Sequence, residues 1–420
     1  MTTQPFANTS PYALLTFQQA WEQIEQRLDA LPPQCVPLEA AGGLVLAASV
    51  VASSAVPPFA ASTMDGYAVI ANDPAVDTAR GRRLTGEEAA GAPSRIPLGP
   101  GECRRIMTGA PLPPGADAVI AVEDTREANG YMIATLEVAH GANVRPVGSD
   151  VALGAVVLTE GTLLGPAEIG LLAMLGQARV QVHPRPRVVV LATGDELAQP
   201  DQQLAPGQIY DSNSYALAEA VRTIGCQVER SHHAADEPEA VEQALREAVS
   251  RADLVITTGG VSMGTRDLLK PTLERLGTVH FGRVATKPGK PLTYATIAGV
   301  PVLALPGNPV STLVGFEMYV RPALRLLGGK RPLWRPSVKA RLLHPIKRDR
   351  ERLDWQRAHV LELDGQWQAR TTGAQASSRL LSMVGANGLL CVAPGEGQIA
   401  TGECVDCILL ERVESAEVPW

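Results

Sequence analysis

The chain changes rhythm twice, and each change predicts a different architecture. Phe17, Ala20, Trp21, Ile24 and Leu28 recur at helical spacing, and Thr16 with Gln19 is placed to form a capping box, so a helix begins there. From Val36 to about Arg185 the apolar runs are short and broken by Gly and Pro: LVLAASVV, DGYAVI, ADAVIAVED, AVVLTEG. That pattern predicts a β-rich region with one helix near 167–175. After punctuation at 183–186, strands expected at 188–193, 227–230, 253–258 and 300–305 alternate with amphipathic helices at 214–224, 239–250, 268–276 and 311–327. Such alternation builds a doubly wound, largely parallel sheet. A Gly/Pro/Arg-rich break at 328–336 leads into short strands, read as a small all-β domain. The fold class is therefore multidomain α/β plus β, without an internal repeat.

Composition narrows the function. The 420 residues suffice for several domains, and 45% hydrophobic with 19% charged residues is ordinary globular usage. A net charge of −7 speaks against general nucleic-acid binding, which needs a basic surface. The most apolar stretch, 43–61, is broken by serines and ends at Pro57-Pro58, so no membrane span is expected. The N-terminus lacks a basic region followed by an apolar core, and six cysteines are too few for a disulfide scaffold; a reducing cytoplasm is expected. Cys404-Val-Asp-Cys407 has no second pair or histidine nearby and is read as part of a strand, not a zinc site.

Three strands of the alternating region run into unusual loops. VVVLAT leads to Gly194-Asp195-Glu196, DLVITT to Gly259-Gly260-Val261-Ser262-Met263-Gly264, and VPVLAL to Pro306-Gly307-Asn308-Pro309-Val310-Ser311. Ligands bind beyond the carboxyl ends of strands in open parallel sheets, where glycines let backbone N–H groups approach an anion. One loop alone could be a turn, and Ser311 could simply cap its helix. A helix terminus contributes roughly 0.3–1 kcal/mol and a charged hydrogen bond about 1.5–3, whereas micromolar affinity needs about 8, so a phosphate-bearing ligand requires several loops together. Neither a GxGxxG nor a GxxxxGK[ST] motif is present, which counts against dinucleotide and P-loop readings.

Lys287-Pro-Gly-Lys290-Pro adds two cations on a turn-forming frame, with Arg283 four residues before it; anion binding is favoured over a solvated turn. Asp267 fits either a helix cap or, beside phosphates, a Mg²⁺ ligand. Asp236 fits an N-cap, with Glu239 completing a capping box.

Read together, PPFAASTMDGYAV (57–69), IMTGAPLPPGADAVIAVED (106–124), NVRPVGSD (143–150), LATGDEL (191–197), TTGGVSMGTRD (257–267), KPGKP (287–291) and LPGNPVS (305–311) resemble the molybdopterin molybdenumtransferase (MoeA) family, with the gephyrin E domain as eukaryotic counterpart. The resemblance covers nearly the whole chain. It implies transfer of molybdenum from molybdate to the dithiolene of adenylylated molybdopterin, with Mg²⁺-dependent release of AMP. It also implies elongated homodimers whose cleft joins the alternating domain of one subunit to the β-rich subdomain of the other. Four subdomains per chain are expected: 1–59 with 150–185, serving dimerisation; 60–149, carrying MDGYA and TGAP; 186–329, binding molybdopterin; and 330–420.

By motif position the resemblance carries over Asp65, Thr108, Glu196, Asp236 and Asp267 as catalytic residues, with Asp267 and Glu196 as Mg²⁺ ligands. Arg145, Asp150, Gly259, Gly260, Ser262, Gly264, Lys287, Lys290, Pro306, Gly307, Asn308, Pro309 and Ser311 are expected to bind substrate. Asp65 is expected at the molybdate and acid–base end. Molybdate must shed oxygens as water, so nearby acids help, and crowded carboxylates raise one another's pKa. Arg283 stands where a family lysine is common, and the segment GAQASSRLLSMVGAN lacks the Gly-Ser-His run that many members show, which weakens any claim that the C-terminal domain contributes to the site and leaves that open. Implied partners are the substrates, a second copy of the chain, the molybdopterin adenylyltransferase and molybdoenzyme chaperones, with no nucleic acid and no membrane. Competing readings are that adenylyltransferase, which the alternating domain resembles, and a non-catalytic scaffold.

Overall fold

A computed structural model describes residues 11–91, 95–231, 237–259 and 268–411. The chain folds as two compact units: one of residues 1–35, 43–47 and 181–420, the other of residues 36–42 and 48–180.

The first unit is built on a six-stranded sheet in the order Gln227–Arg230, Arg187–Ala192, Leu254–Thr258, Val300–Leu305, Thr293–Ile297, Thr278–Phe281. The first four strands are parallel. The last two run antiparallel to their neighbours. The sequence reading did not anticipate these two strands. Alternate residues of each parallel strand face opposite layers, as the period of two requires. Val188, Val190, Ile256 and Leu303 pack with Leu217 and Val221 of helix Asn213–Thr223. Val189, Leu191, Val255 and Val302 pack with Val241 and Leu245 of helix Pro238–Arg251 and with Leu273 of helix Leu269–Leu276. This is a doubly wound layer with an antiparallel edge.

Two details depart from expectation. The single helix expected at 311–327 is Pro309–Gly315, a π-turn at Phe316–Val320, and Arg321–Leu327. Pro322, lacking an N–H, loosens the hydrogen-bond ladder on its N-terminal side. The N-cap of helix Pro238–Arg251 is Glu237, without a side-chain cap bond, and Asp236, the expected cap, lies outside the described residues. Pro238 sets the helical φ and starts the helix itself.

The N-terminal helix, Phe17–Glu25, has its expected Thr16–Gln19 capping box. Although expected with residues 150–185, it shares its compact unit only with the last of these, 181–185, and not with 150–180. Ala20, Trp21 and Ile24 join the core of the α/β unit, and Phe17 packs edge-on against Trp355 and Trp334, 5.4 and 5.7 Å between centroids. Its period marked a buried face but not which layer buries it.

The C-terminal strands close on themselves in the order Leu353–Leu363, Gln366–Thr371, Ser337–Leu342, Cys404–Leu409, Gly388–Val392, with the last paired back to the first. The barrel is filled by Ala340, Leu342, Val360, Leu390, Val392 and Cys407. Cys404 is exposed and Cys407 buried, as strand alternation demands; burial pushes the Cys407 thiol up to about 12.

The second unit contains a sheet in the order Ala118–Ala121, Gly66–Val69, Glu102–Ile106, Arg82–Glu88, Tyr131–Ala134, Thr125–Ala128. Tyr67 and Val69 point into one core and Ala68 into another. Two short ladders, Ala61–Ser62 with Val144–Arg145 and Val50–Val51 with Val156–Leu158, and the helix Pro166–Met174 complete it.

Candidate functional site

In the second unit, MDGYA and TGAP meet. Asp65 Oδ1 accepts hydrogen bonds from the Thr108 main-chain N–H at 2.7 Å and from its hydroxyl at 2.8 Å. The Asp65-Gly66 pair is not a turn. Gly66 opens a strand so close to its neighbour that a Cβ would sit 2.0 Å from the Ile120 carbonyl oxygen. Gly109, with φ +79°, is the turn residue. Its N–H donates to the Ser62 carbonyl, and the Thr63 N–H donates to that of Asn143, so the ladder bearing Arg145 is tied to the same corner. Arg145 forms an exposed ion pair with Asp150.

Thr108 sets the charge at this corner. The Thr108 main-chain bond, then the hydroxyl bond, hold the Asp65 carboxyl below its ordinary range. A fully exposed carboxylate receiving two donors favours its charged form. With both Thr108 donors on Oδ1, Asp65 accepts hydrogen bonds as a carboxylate.

In the first unit the strand-end loops converge, as far as they are described. Gly259 has φ +94°, and a Cβ there would sit 2.2 Å from the Thr193 carbonyl oxygen. Gly307 approaches Gly259, with an added Cβ meeting the Gly259 Cα at 3.6 Å. Asn213 stitches two strands together: its Nδ2 donates to Thr258 Oγ1 at 3.0 Å and to the Gly307 carbonyl at 2.7 Å. Its Oδ1 and Thr193 Oγ1 are buried and have no hydrogen-bond partner among the described residues. Glu196 is exposed, and its carboxylate folds back over Gly194. In LPGNPVS, Pro306 is buried, Gly307 and Asn308 are exposed and Pro309 opens the helix. Ser311 is not a cap: Asn308 holds that position, and Ser311 is only 3% exposed inside the helix.

Lys287 and Lys290 are both partly exposed. Lys287 Nζ lies 3.3 Å from Asp354 and 3.6 Å from Asp349, carboxylates of the C-terminal barrel. The Val310 N–H donates to the Ser377 carbonyl of the GAQASSR segment at 3.1 Å. The barrel therefore touches two of the candidate loops. Asp236, Gly260, Ser262, Gly264 and Asp267 lie outside the described residues.

A cavity of about 480 Å³ opens at the same end of the sheet, lined by Gln199, Asp201, Asp211, Ser214, Tyr215 and Arg230 among others. The Arg230 guanidinium lies over the Tyr215 ring, 3.6 Å from its centroid. Asp211, 5% exposed, accepts from the Ser214 N–H and hydroxyl. Sequence reasoning missed Asn213 and this cavity because Asp-Ser-Asn before a helix reads as an ordinary cap.

Three family models tile the chain. The MoeA N-terminal region (domains I and II) matches residues 15–176, the probable molybdopterin-binding domain 189–326, and the MoeA C-terminal region (domain IV) 339–410. Molybdopterin molybdenumtransferase 2 of Mycobacterium tuberculosis is 39% identical over 391 residues, covering 90% of this chain and 95% of that protein. The chain belongs to the molybdopterin molybdenumtransferase (MoeA) family. That membership makes it a transferase of molybdenum cofactor biosynthesis. The molybdopterin molybdenumtransferase of Nostoc sp. is 37% identical over 383 residues, covering 89% of this chain and 87% of its own. A molybdopterin biosynthesis MoeA protein from Pyrococcus horikosii superposes with a TM-score of 0.82 at 32% identity, covering 96% of this chain and all of that one. Matches to the N- and C-terminal regions fit this family better than a stand-alone adenylyltransferase domain.

The MoeA family implies Mg²⁺, and the donors can be weighed. Mg²⁺ prefers oxygen, keeps several waters and needs only one or two carboxylates when substrate phosphates supply the rest. Glu196, exposed at a strand end, is such a donor. The described residues contain no cluster of three His, Cys, Asp or Glu side chains that would form a cage. A single exposed carboxylate would suit only an ion that brings most of its ligands with it, such as waters and a phosphate.

Proposed function

We propose that this chain inserts molybdenum into molybdopterin, taking molybdate and adenylylated molybdopterin and releasing AMP. The observation that carries the reading is the convergence of Thr193, Gly259 and Gly307 at one edge, stitched by Asn213. The approach at Gly259 demands glycine, and the N-terminus of the helix that follows Gly307 would offer N–H groups to an anion. The neighbouring cavity, of a volume usual for small-molecule sites, would take the pterin, with Arg230 and Tyr215 offering flat faces for stacking.

In this reading Lys287 and Lys290 meet the phosphates, and Glu196 with Asp267 would hold Mg²⁺. The ion would offset negative charge on the pyrophosphate linkage as it breaks. Asp65, charged, would receive a substrate donor on Oδ2, the oxygen that Thr108 does not use. Protons that carry molybdate oxygens away as water would come from groups other than Asp65. Arg145 and Asp150 would bind substrate as a pair, and Asp236 would serve catalysis.

We further propose a homodimer and a cytoplasmic location. Among the described residues, no helix is long and apolar enough to cross a membrane. The adenylyltransferase and molybdoenzyme chaperones are natural partners for an enzyme that receives one unstable pterin and passes on another.

The test is AMP release from adenylylated molybdopterin with and without molybdate and Mg²⁺. Release that depends on both supports the reading. Adenylylation of molybdopterin by ATP would make the chain an adenylyltransferase, and no turnover in either assay would leave a scaffold. Light scattering at twice the chain mass supports the dimer; the monomer mass overturns it.

A further inference from the structure

Lys287 lies in the segment that joins the two antiparallel edge strands of the α/β sheet, Thr278–Phe281 and Thr293–Ile297, yet it is held by the C-terminal barrel. Thr286–Lys287 forms a two-residue strand parallel to the start of Leu353–Leu363, with Thr286 opposite Leu353 and Lys287 opposite Asp354. The Leu353 N–H donates to the Ala285 carbonyl at 3.0 Å. The KPGKP loop is therefore an added edge of the barrel.

Side chains reinforce this pairing. Asp354 is 2% exposed. Its Oδ2 lies 3.3 Å from Lys287 Nζ and accepts from Gln356 Nε2 at 3.0 Å. Asp349 Oδ2 lies 3.6 Å from the same Nζ and accepts from Arg352 Nη2 at 2.8 Å. A buried carboxylate is retained only with a partner, and here the partner is Lys287. An ammonium has three N–H groups. Two carboxylates lie within 3.6 Å of it, while the side chain remains 38% exposed. A lysine on a flexible four-carbon stem is thereby held in one direction. The two acids and the two cations, Lys287 and Arg352, balance in charge. Lys287 therefore meets a phosphate as a directed donor rather than as part of a basic patch.

We propose that Asp354 is a positioning residue for the transfer reaction, fixing Lys287 towards the phosphate-bearing substrate from within the barrel, with Asp349 as second arm. This rests on Lys287 being a phosphate contact. The plain alternative is an ion pair that only joins barrel to sheet.

The test uses the full chain and compares wild type, Asp354→Asn, Asp349→Asn, Lys287→Met and the Asp354→Asn/Lys287→Met double variant, measuring KM for adenylylated molybdopterin, kcat and Tm. Asp354→Asn keeps the shape and loses the charge. It should raise KM about three- to tenfold with kcat within about twofold, the signature of lost binding. Asp349→Asn should raise KM less, and it keeps the test alive if Asp354→Asn does not fold. The double variant should be no worse than Lys287→Met, because Asp354 acts through Lys287. An unchanged KM in Asp354→Asn, with KM raised in Lys287→Met, overturns the positioning role and leaves Lys287 as a contact. Multiplying defects in the double variant show that Asp354 is structural, which also overturns it. An unchanged KM in Lys287→Met removes the phosphate contact itself, and the positioning role with it. A readout without substrate completes the test: the Lys287 ammonium resonance should be protected from solvent exchange in wild type and lose that protection in Asp354→Asn.

Discussion

Thr108 gives both its main-chain N–H and its hydroxyl to a single oxygen of Asp65. One residue therefore sets the position and the charge of another 43 positions away. Thr108→Val removes the hydroxyl donor and keeps the N–H. The Asp65 carboxyl should then titrate at higher pH, still below its ordinary value, as read by carboxyl NMR. The sign follows from linkage. A depressed carboxyl contributes stability above its unfolded pKa and loses it as pH falls through the folded pKa. In Thr108→Val the loss still begins at the unfolded pKa but is smaller and is complete at a higher pH, and an unmoved titration would show that the hydroxyl bond does not form.

Asn213 should matter more than its place beside a cap suggests. Asn213→Ala removes both donors that join Thr258 to Gly307. The expected cost is about 1–3 kcal/mol in urea unfolding, the range for stranding partly buried acceptors. Affinity for the pterin nucleotide, measured by calorimetry, should fall as well, because two loops lose their common tie.

Two glycines of adjacent loops should respond differently to alanine. At Gly259 a Cβ would meet the Thr193 carbonyl at 2.2 Å with φ at +94°. Overpacking and backbone strain together should cost roughly 2–4 kcal/mol. At Gly307 the nearest atom to a Cβ lies at 3.6 Å, and alanine should change stability by no more than about 0.5 kcal/mol. Urea unfolding of both variants checks the contrast.

Asp349 supplies a pH signature in the barrel. Burial would raise its carboxyl, but the Arg352 side chain and the N–H groups of Glu351 and Arg352 outweigh it and lower the pKa from an ordinary 3.8 to about 2. Its contribution is thus present above about pH 4 and lost as pH falls through about 2. Asp349→Asn should be less stable than wild type at pH 7, and the gap should close between about pH 4 and 2. A gap independent of pH would mean that the substitution acts through packing.

The sequence by itself determined the parts whose signal is local. Strands 188–193, 253–258 and 300–305 are apolar runs that announce burial on both faces, and their residues do divide between two cores. The Thr16–Gln19 box needs only neighbouring residues, and it forms. The glycine-bearing loops were legible as strand ends, hence as one edge of a parallel sheet. Tertiary structure decided everything that depends on a distant partner. A helical period says that Trp21 and Ile24 are buried, not that the α/β core buries them. The short strands Thr278–Phe281 and Thr293–Ile297 carry too few alternations to stand out, and pairing alone makes them strands. The charge of Asp65 was set by Thr108, and the direction of Lys287 by Asp349 and Asp354, through contacts that no local pattern encodes. Hydrophobic period reports which face of an element leaves water; only the packed chain fixes which groups meet there, and those meetings set charge, direction and chemistry.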